Sequence, residues 1–281
     1  MTLETLETLE TVNAHVLDKR IRFVEETHTY FVDGSRDGYI STTTLIHKLF
    51  PEFNADDVIT KMFKSKNWSK SKYNGMSRQD IKDLWDKNGS YAASMGTKMH
   101  ANIENYYNKQ EHETESKEFE LFSQFRDDHP NLEPYRTEWV VFDEDSKISG
   151  SIDMVFKDPE NHGKFIICDW KRSKELKETN RWQNGSSEFT RHLDDTNFVH
   201  YSMQLSIYKR ILEKNYGIEI SNCFIVVLHP SQDRYIKKEI MDLSKEVEAL
   251  MKSREKGEME NKKRVRADSD QICEFDLKSL K

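Results

Sequence analysis

The segment FIICDWKRS, residues 165–173, constrains the chain more than any other. A run of apolar residues leads without a break into an aspartate, and a lysine follows two positions on. Such a run reads as a buried β-strand. Side chains two apart on a strand point the same way, so Asp169 and Lys171 share a face and Trp170 takes the other. A second run, GSIDMVF, carries Asp153 among apolar neighbours, and the turn-rich KDPENHGK joins the two. This predicts an antiparallel hairpin. Centred on Asn161, it sets Asp153 opposite Asp169 with Cβ atoms about 5 Å apart. A slip of one residue would send Asp153 to the other face. Carboxylates that close repel unless a proton or a cation lies between them.

A lone aspartate on a strand is ordinarily an edge charge facing water. Two aspartates and a lysine converging on one face point instead to a site. Oxygen donors without cysteine suit a hard divalent cation, Mg²⁺ or Mn²⁺. Such a cation lowers the pKa of a bound water and polarises a phosphoryl oxygen. The ordinary lysine pKa is about 10.4. Lys171 is therefore expected to position water and stabilise charge, with proton abstraction the lesser role.

The rest of the chain supplies a frame. TLETLETLE reads as a frayed or helical extension, residues 1–19, and RIRFVEETHTYFVDG as a β-hairpin. Ser41 to Thr44 cap a predicted helix through Phe50, which Pro51 stops. Further helices are predicted over 54–64, 77–87 and about 89–109, and another ends before Pro130. Three β-rich runs follow, YRTEWVVF, ISGSIDMVF and KFIICDWK. After a polar stretch, 172–195, an amphipathic helix carries Tyr201, Leu205, Tyr208 and Leu212 on one stripe and stops at Gly217. Two more strands and a charged helix or tail over 244–281 complete the order. The expected fold is α/β, a central mixed sheet flanked by helices, in one domain over 20–243 with a helical N-terminal part.

The formal charge of the 281 residues is -7, which argues against coating nucleic acid by bulk electrostatics and leaves room for a local basic groove. The three cysteines, Cys168, Cys223 and Cys273, form no CxxC pair. Their number and spacing fit free thiols in a reducing compartment. No apolar run approaches the ~18 residues of a membrane span, and the N-terminus is acidic where a signal peptide is basic. The expectation is a soluble intracellular protein with no membrane contact.

The pair GSID and DWK, sixteen residues apart from Asp153 to Asp169, resembles the core of the PD-(D/E)XK nucleases. GTKMHANIENYY resembles the GxxxH...E helix of the RecB-type exonuclease branch, with Gly96, His100 and Glu104, and QLSIYKRIL resembles its QxxxY helix, with Gln204 and Tyr208. That branch includes the mitochondrial genome maintenance exonuclease and relatives from phages and large viruses. The motifs stand in the branch's order over residues 96–208. The resemblance implies a restriction-endonuclease-like core and DNA hydrolysis, with His100, Asp153, Asp169 and the backbone carbonyl of Trp170 as metal ligands. It implies Asp153, Asp169 and Lys171 as the catalytic set, and Gln204 and Tyr208 as a helix that braces the site and contacts DNA. Glu138 matches an acidic residue on the preceding strand. Ile152 replaces the motif's proline, the third acidic position is Asp169 where the motif also allows Glu, and no cysteine cluster supports an iron–sulfur group.

His100 and Glu104 share a helix face, as do Gln204 and Tyr208. A helix-face histidine bonded to Glu104, and a Tyr208 that only packs, are the bland alternatives. The lysine-rich segment 61–73 interleaves Phe63, Trp68 and Tyr73, the pairing of cations and rings that single-strand binders use. It also fits a solvated loop. Arg172 and Lys174 follow the site directly and are placed for phosphate contacts, and Arg181 to His192 is a polar loop suited to lie over substrate. Lys262 to Arg266 fits a nuclear import signal or a solvated basic run. The expected partner is DNA, single-stranded or bearing ends. An endonuclease, structure-specific or acting on RNA, and a catalytically silent binding subunit are the competing functions.

Overall fold

The computed structural model describes residues 7–260. Polar caps set where its helices begin. Ser41, Asn54, Ser77, Ser116 and Thr196 each accept a hydrogen bond from the backbone N–H three residues on, which satisfies a donor the helix leaves free. In chain order the elements are α1 (Leu9–Val12), β1 (Ile21–Val24), β2 (Thr29–Val32), β3 (Ile40–Ser41), α2 (Thr42–His47), α3 (Ala55–Phe63), α4 (Arg78–Tyr107) and α5 (Lys117–Asp128). Then come β4 (Glu133–Asp143), β5 (Ile148–Lys157), β6 (Lys164–Lys171), α6 (Asn197–Asn215), β7 (Glu219–Val227), β8 (Ile236–Glu239) and a last helix, α7 (244–260).

The six strands β3 to β8 form one mixed sheet, and β1 pairs with β2 as a separate antiparallel hairpin. One edge of β5 is filled along its length by antiparallel β4. The other edge is shared. β3 pairs in parallel with Ile148 and Ser149, and β6 pairs antiparallel with Met154 to Lys157. Residues 150–153 lie in the fork between them. The register Met154↔Cys168 is the one a hairpin centred on Asn161 dictates; the pairing ends there, just short of Asp153 and Asp169.

Helices cover both faces. α2, α6 and α7 pack on one, with Ile152, Ile167, Ile211, Val247 and Met251 in its core. α4 and α5 cover the other, with Met99, Ile103, Phe122, Cys168 and Trp170. The sheet is therefore the central layer of a mixed α/β fold, as expected.

Three local expectations change. α2 ends at His47, short of Phe50. The helices expected over 77–87 and 89–109 are one helix of 30 residues that runs through Gly89. A mid-helix glycine costs only about 1 kcal/mol, and tertiary packing at both ends offsets it: Ile81 is buried near the start, Met99 and Ile103 near the end. α7 is not merely an exposed charged helix, because Val247, Leu250 and Met251 join the core. At the other end, residues 9–18 are tied to the body. Asn108 Oδ1 accepts from Leu9 N at 2.9 Å, and Asp18 accepts from Arg136 at 2.7 Å and from the Trp139 indole at 2.9 Å. The basic run Lys262 to Arg266, and Cys273, lie outside the described residues. Among the described residues no helix is long and apolar enough to cross a membrane.

Candidate metal centre

The fork in the sheet brings the acids together. Asp153 Oδ2 accepts a 2.8 Å hydrogen bond from the Trp170 backbone N–H, in the place of the next β5–β6 rung. Asp169, 1% exposed, follows Ile167 onto the α6 face of β6. Lys171 Nζ stands 2.7 Å from Asp169 Oδ2. α4 delivers His100 into the same space. Its Nδ1 lies 3.3 Å from Glu138 Oε1 and 3.6 Å from Asp153 Oδ2, so its partners are these two acids and not Glu104.

Glu138 is part of the distortion. The rungs Thr137↔Met154 and Trp139↔Ile152 set it opposite Asp153, where the ladder lacks a rung. Its φ is +43°, the left-handed region that a side chain rarely adopts inside a strand. Ser151 Oγ donates to its Oε2 at 3.1 Å. Ligand atoms of His100, Glu138 and Asp153 all lie within 4.8 Å of one another. Strained backbone of this kind collects at working sites.

The charges are out of balance without a cation. Burial raises the pKa of Asp153, against the opposing charges of His100 and Lys171. Burial likewise pushes Asp169 up to about 7, opposed by the Lys171 ammonium and aided by Asp153. Burial alone would lower His100, but Asp153 and Glu138 outweigh it and lift the imidazole to about 9. Burial would lower Lys171 too, yet Asp169 and Asp153 hold it well above its usual value, so it stays an ammonium. Both Asp169 oxygens are buried without a hydrogen-bond partner. The Lys171 ammonium at 2.7 Å is the one charged partner of this carboxylate among the described residues. A buried carboxylate met by one ammonium and no other donor, beside three converging ligand atoms, fits a divalent cation. One imidazole with carboxylate oxygens suits Mn²⁺, and the oxygens suit Mg²⁺.

The remaining expected residues surround this centre in different ways. Gln204 Nε2 donates to Tyr208 Oη at 3.3 Å, within helix α6. The Tyr208 ring lies so close to Gly150 that a Cβ there would meet its Cε1 at 2.6 Å. Glu104 lines a cleft of about 470 Å³ beside His100 and Glu138, and burial, with Glu138 next, raises its pKa. The Trp170 ring packs in the aromatic core, 5.6 Å from Phe122. Arg172 is not a free cation. Its Nε donates to Glu118 at 2.7 Å, and the two side chains are 8% and 7% exposed. Lys174 is exposed. In the lysine-rich segment Phe63 and Trp68 pack against each other at 4.6 Å, and Trp85 Nε1 donates to Tyr73 Oη at 3.0 Å.

Two neighbours were missed. The Tyr201 ring lies 4.9 Å from Lys171 Nζ. Its place on the stripe of Gln204 and Tyr208 was a usable signal. Tyr30, on β2, has a pKa raised by burial and then by Glu138 and Asp153, which places it by the acids. As one aromatic in a hairpin it carried no signal.

A family model described as the PD-(D/E)XK nuclease superfamily matches residues 43–275. No curated protein matches the chain. Among solved structures the chain is similar to the crystal structure of SSO0001, at 16% identity over 78% of this chain and 76% of that one, with a TM-score of 0.32. It is also similar to a presumed exonuclease from Eubacterium rectale, at 13% identity over 56% and 75%, with a TM-score of 0.26.

Proposed function

The chain belongs to the PD-(D/E)XK nuclease superfamily, and from that premise we propose that it is a metal-dependent deoxyribonuclease acting on DNA ends or single strands. The observation that carries the proposal is the convergence of His100, Glu138 and Asp153 beside the buried carboxylate of Asp169, which has only the Lys171 ammonium for company. His100, Asp153, Asp169 and the Trp170 carbonyl would hold the cation, Mg²⁺ or Mn²⁺, with Glu138 as a further acid. When bound, the cation supplies an acidified water and an electrophile for the scissile phosphate.

The protein's own groups do the rest. Lys171 keeps its proton and stabilises charge as it builds on the phosphate. The Tyr201 face confines that ammonium. Ser151 and the Trp170 N–H fix the carboxylates of Glu138 and Asp153, as outer partners fix metal ligands elsewhere. Gln204 and Tyr208 brace the wall against Gly150, and Lys174 is free to meet the backbone of the substrate.

The test is digestion of end-labelled linear and circular single strands, DNA and RNA, with Mg²⁺ or Mn²⁺. Loss of the linear DNA with the circle spared is the expected result, and Lys171→Ala abolishes it. Cutting of the circle, or of RNA alone, marks an endonuclease or a ribonuclease. Binding without any cutting marks a silent subunit.

A further inference from the structure

Trp182 is 94% exposed, more than any other large apolar side chain among the described residues. An indole is usually half or more covered, so its place is unusual. The segment that carries it is well tied. Trp182 N donates to Asn180 Oδ1 at 3.1 Å, Asn180 N to Asp194 Oδ2 at 2.7 Å and Asp195 N to Gln183 O at 2.8 Å. Gly185 N donates to Leu193 O at 3.0 Å, and a Cβ on Gly185 would lie 2.2 Å from Thr190 Oγ1. Thr190, fully buried, donates to Leu49 O at 2.6 Å and pins the loop to the end of α2. A loop built this closely holds its indole in water by construction.

The position is also specific. The segment leaves β6 at Lys171 and enters α6 at Asn197, and Asn197 Oδ1 accepts from Lys177 N at 2.8 Å. One turn into α6, Tyr201 faces the Lys171 ammonium. Four cations of the segment, Lys174, Lys177, Arg181 and Arg191, are exposed and make no ion pair among the described residues. Its acids are largely engaged. Asp194 accepts from Asn180, Asp195 from His200, and Glu178 pairs with Lys238. Glu175 and Glu188 are left against the four cations.

We propose that Trp182 is a stacking platform for a base of single-stranded nucleic acid, outside the metal centre, with these cations following the phosphates. Every base has a π-face, so stacking accepts any sequence, but only an unpaired base offers that face freely. A duplex interior does not. The platform would thus favour single strands and frayed ends. The inference rests on the nuclease reading for its ligand, and its readout is binding rather than cleavage.

The experiment measures binding of a labelled oligothymidylate and of a blunt duplex of equal length, in EDTA so that nothing is cut. Wild type, Trp182→Ala and Trp182→Phe are compared. Hydrolysis of bis(p-nitrophenyl) phosphate with Mn²⁺ is measured in parallel. The alanine variant should bind the single strand about tenfold more weakly, with phenylalanine retaining most of the affinity. Duplex binding and hydrolysis of the small diester should not change. Equal single-strand affinity in wild type and Trp182→Ala overturns the proposal, as does an equal loss on both ligands. Conversion of a dimer to a monomer by Trp182→Ala, with single-strand affinity intact, also overturns it and assigns the indole to a contact between copies. If Trp182 governs binding but no diester is hydrolysed, the platform stands and the nuclease reading fails.

Discussion

The carboxylate of Asp153 takes the backbone N–H of Trp170, at 2.8 Å, that a continuous β5–β6 ladder would have used for itself. The sheet opens there, and an acid is fixed in the opening. Asp153→Asn keeps the shape and an oxygen acceptor but removes the charge. Cleavage should fall at least a hundredfold, the scale of losing one charge-stabilising group. Burial raises the Asp153 pKa. An acid raised on folding loses stability as pH climbs from its unfolded value to its folded one. The metal-free variant should therefore melt at or above the wild-type temperature at pH 8. A large drop in melting temperature would show a mainly structural aspartate.

Metal binding should release protons. In the metal-free chain Asp169 titrates near 7 and His100 near 9, and a cation needs both deprotonated. From pH 7 to pH 8, Mn²⁺ affinity should rise about tenfold through His100, and only about twofold through Asp169, which is already half deprotonated at pH 7. Calorimetry in buffers of different ionisation enthalpy counts those protons. The sign for folding is opposite. His100 is raised above 6.5, so its imidazolium contributes fully below that pH and the contribution fades as pH passes 9. Binding without proton release would contradict the arrangement.

Gly150 is a matter of room rather than of backbone freedom, because the Tyr208 ring occupies the space a Cβ would need. Gly150→Ala should cost about 1–3 kcal/mol, the range for overpacking a core, measured by urea denaturation. The double variant with Tyr208→Phe should relieve little of that, since Cε1 as well as the hydroxyl is in contact.

Arg172 and Lys174 should part company. Glu118→Ala leaves the Arg172 guanidinium buried and unpaired, which should destabilise the fold by about 3–5 kcal/mol. Lys174→Ala should leave stability alone, weaken DNA binding and reduce its salt slope by about one unit. Denaturation and a salt titration of binding separate the two. Equal salt slopes in wild type and Lys174→Ala would remove Lys174 from the interface.

Strand alternation and turn composition were enough to read Asp169, Lys171 and the hairpin register from the chain, because a strand's period leaves few choices. The order of elements followed from the same periodicities. Glu138 was visible only by resemblance, since nothing local announces a left-handed residue inside a β-run. Arg172 looked like Lys174 in sequence, and only tertiary contact with Glu118, 54 residues away, distinguishes them. The long α4 hid behind Gly89, whose local penalty is offset by packing at distant turns. Tyr30 comes under the charges of Glu138 and Asp153 through the placement of a separate hairpin, which no short-range pattern encodes.

The most direct test of the site is the position of a bound cation. Crystals soaked in Mn²⁺ and measured at its absorption edge should show an anomalous peak within ligand distance of Asp153 and Asp169, with His100 and Glu138 around it. The peak should vanish in Asp153→Asn. A peak confined to exposed acids elsewhere, or none at saturating Mn²⁺, would contradict the account.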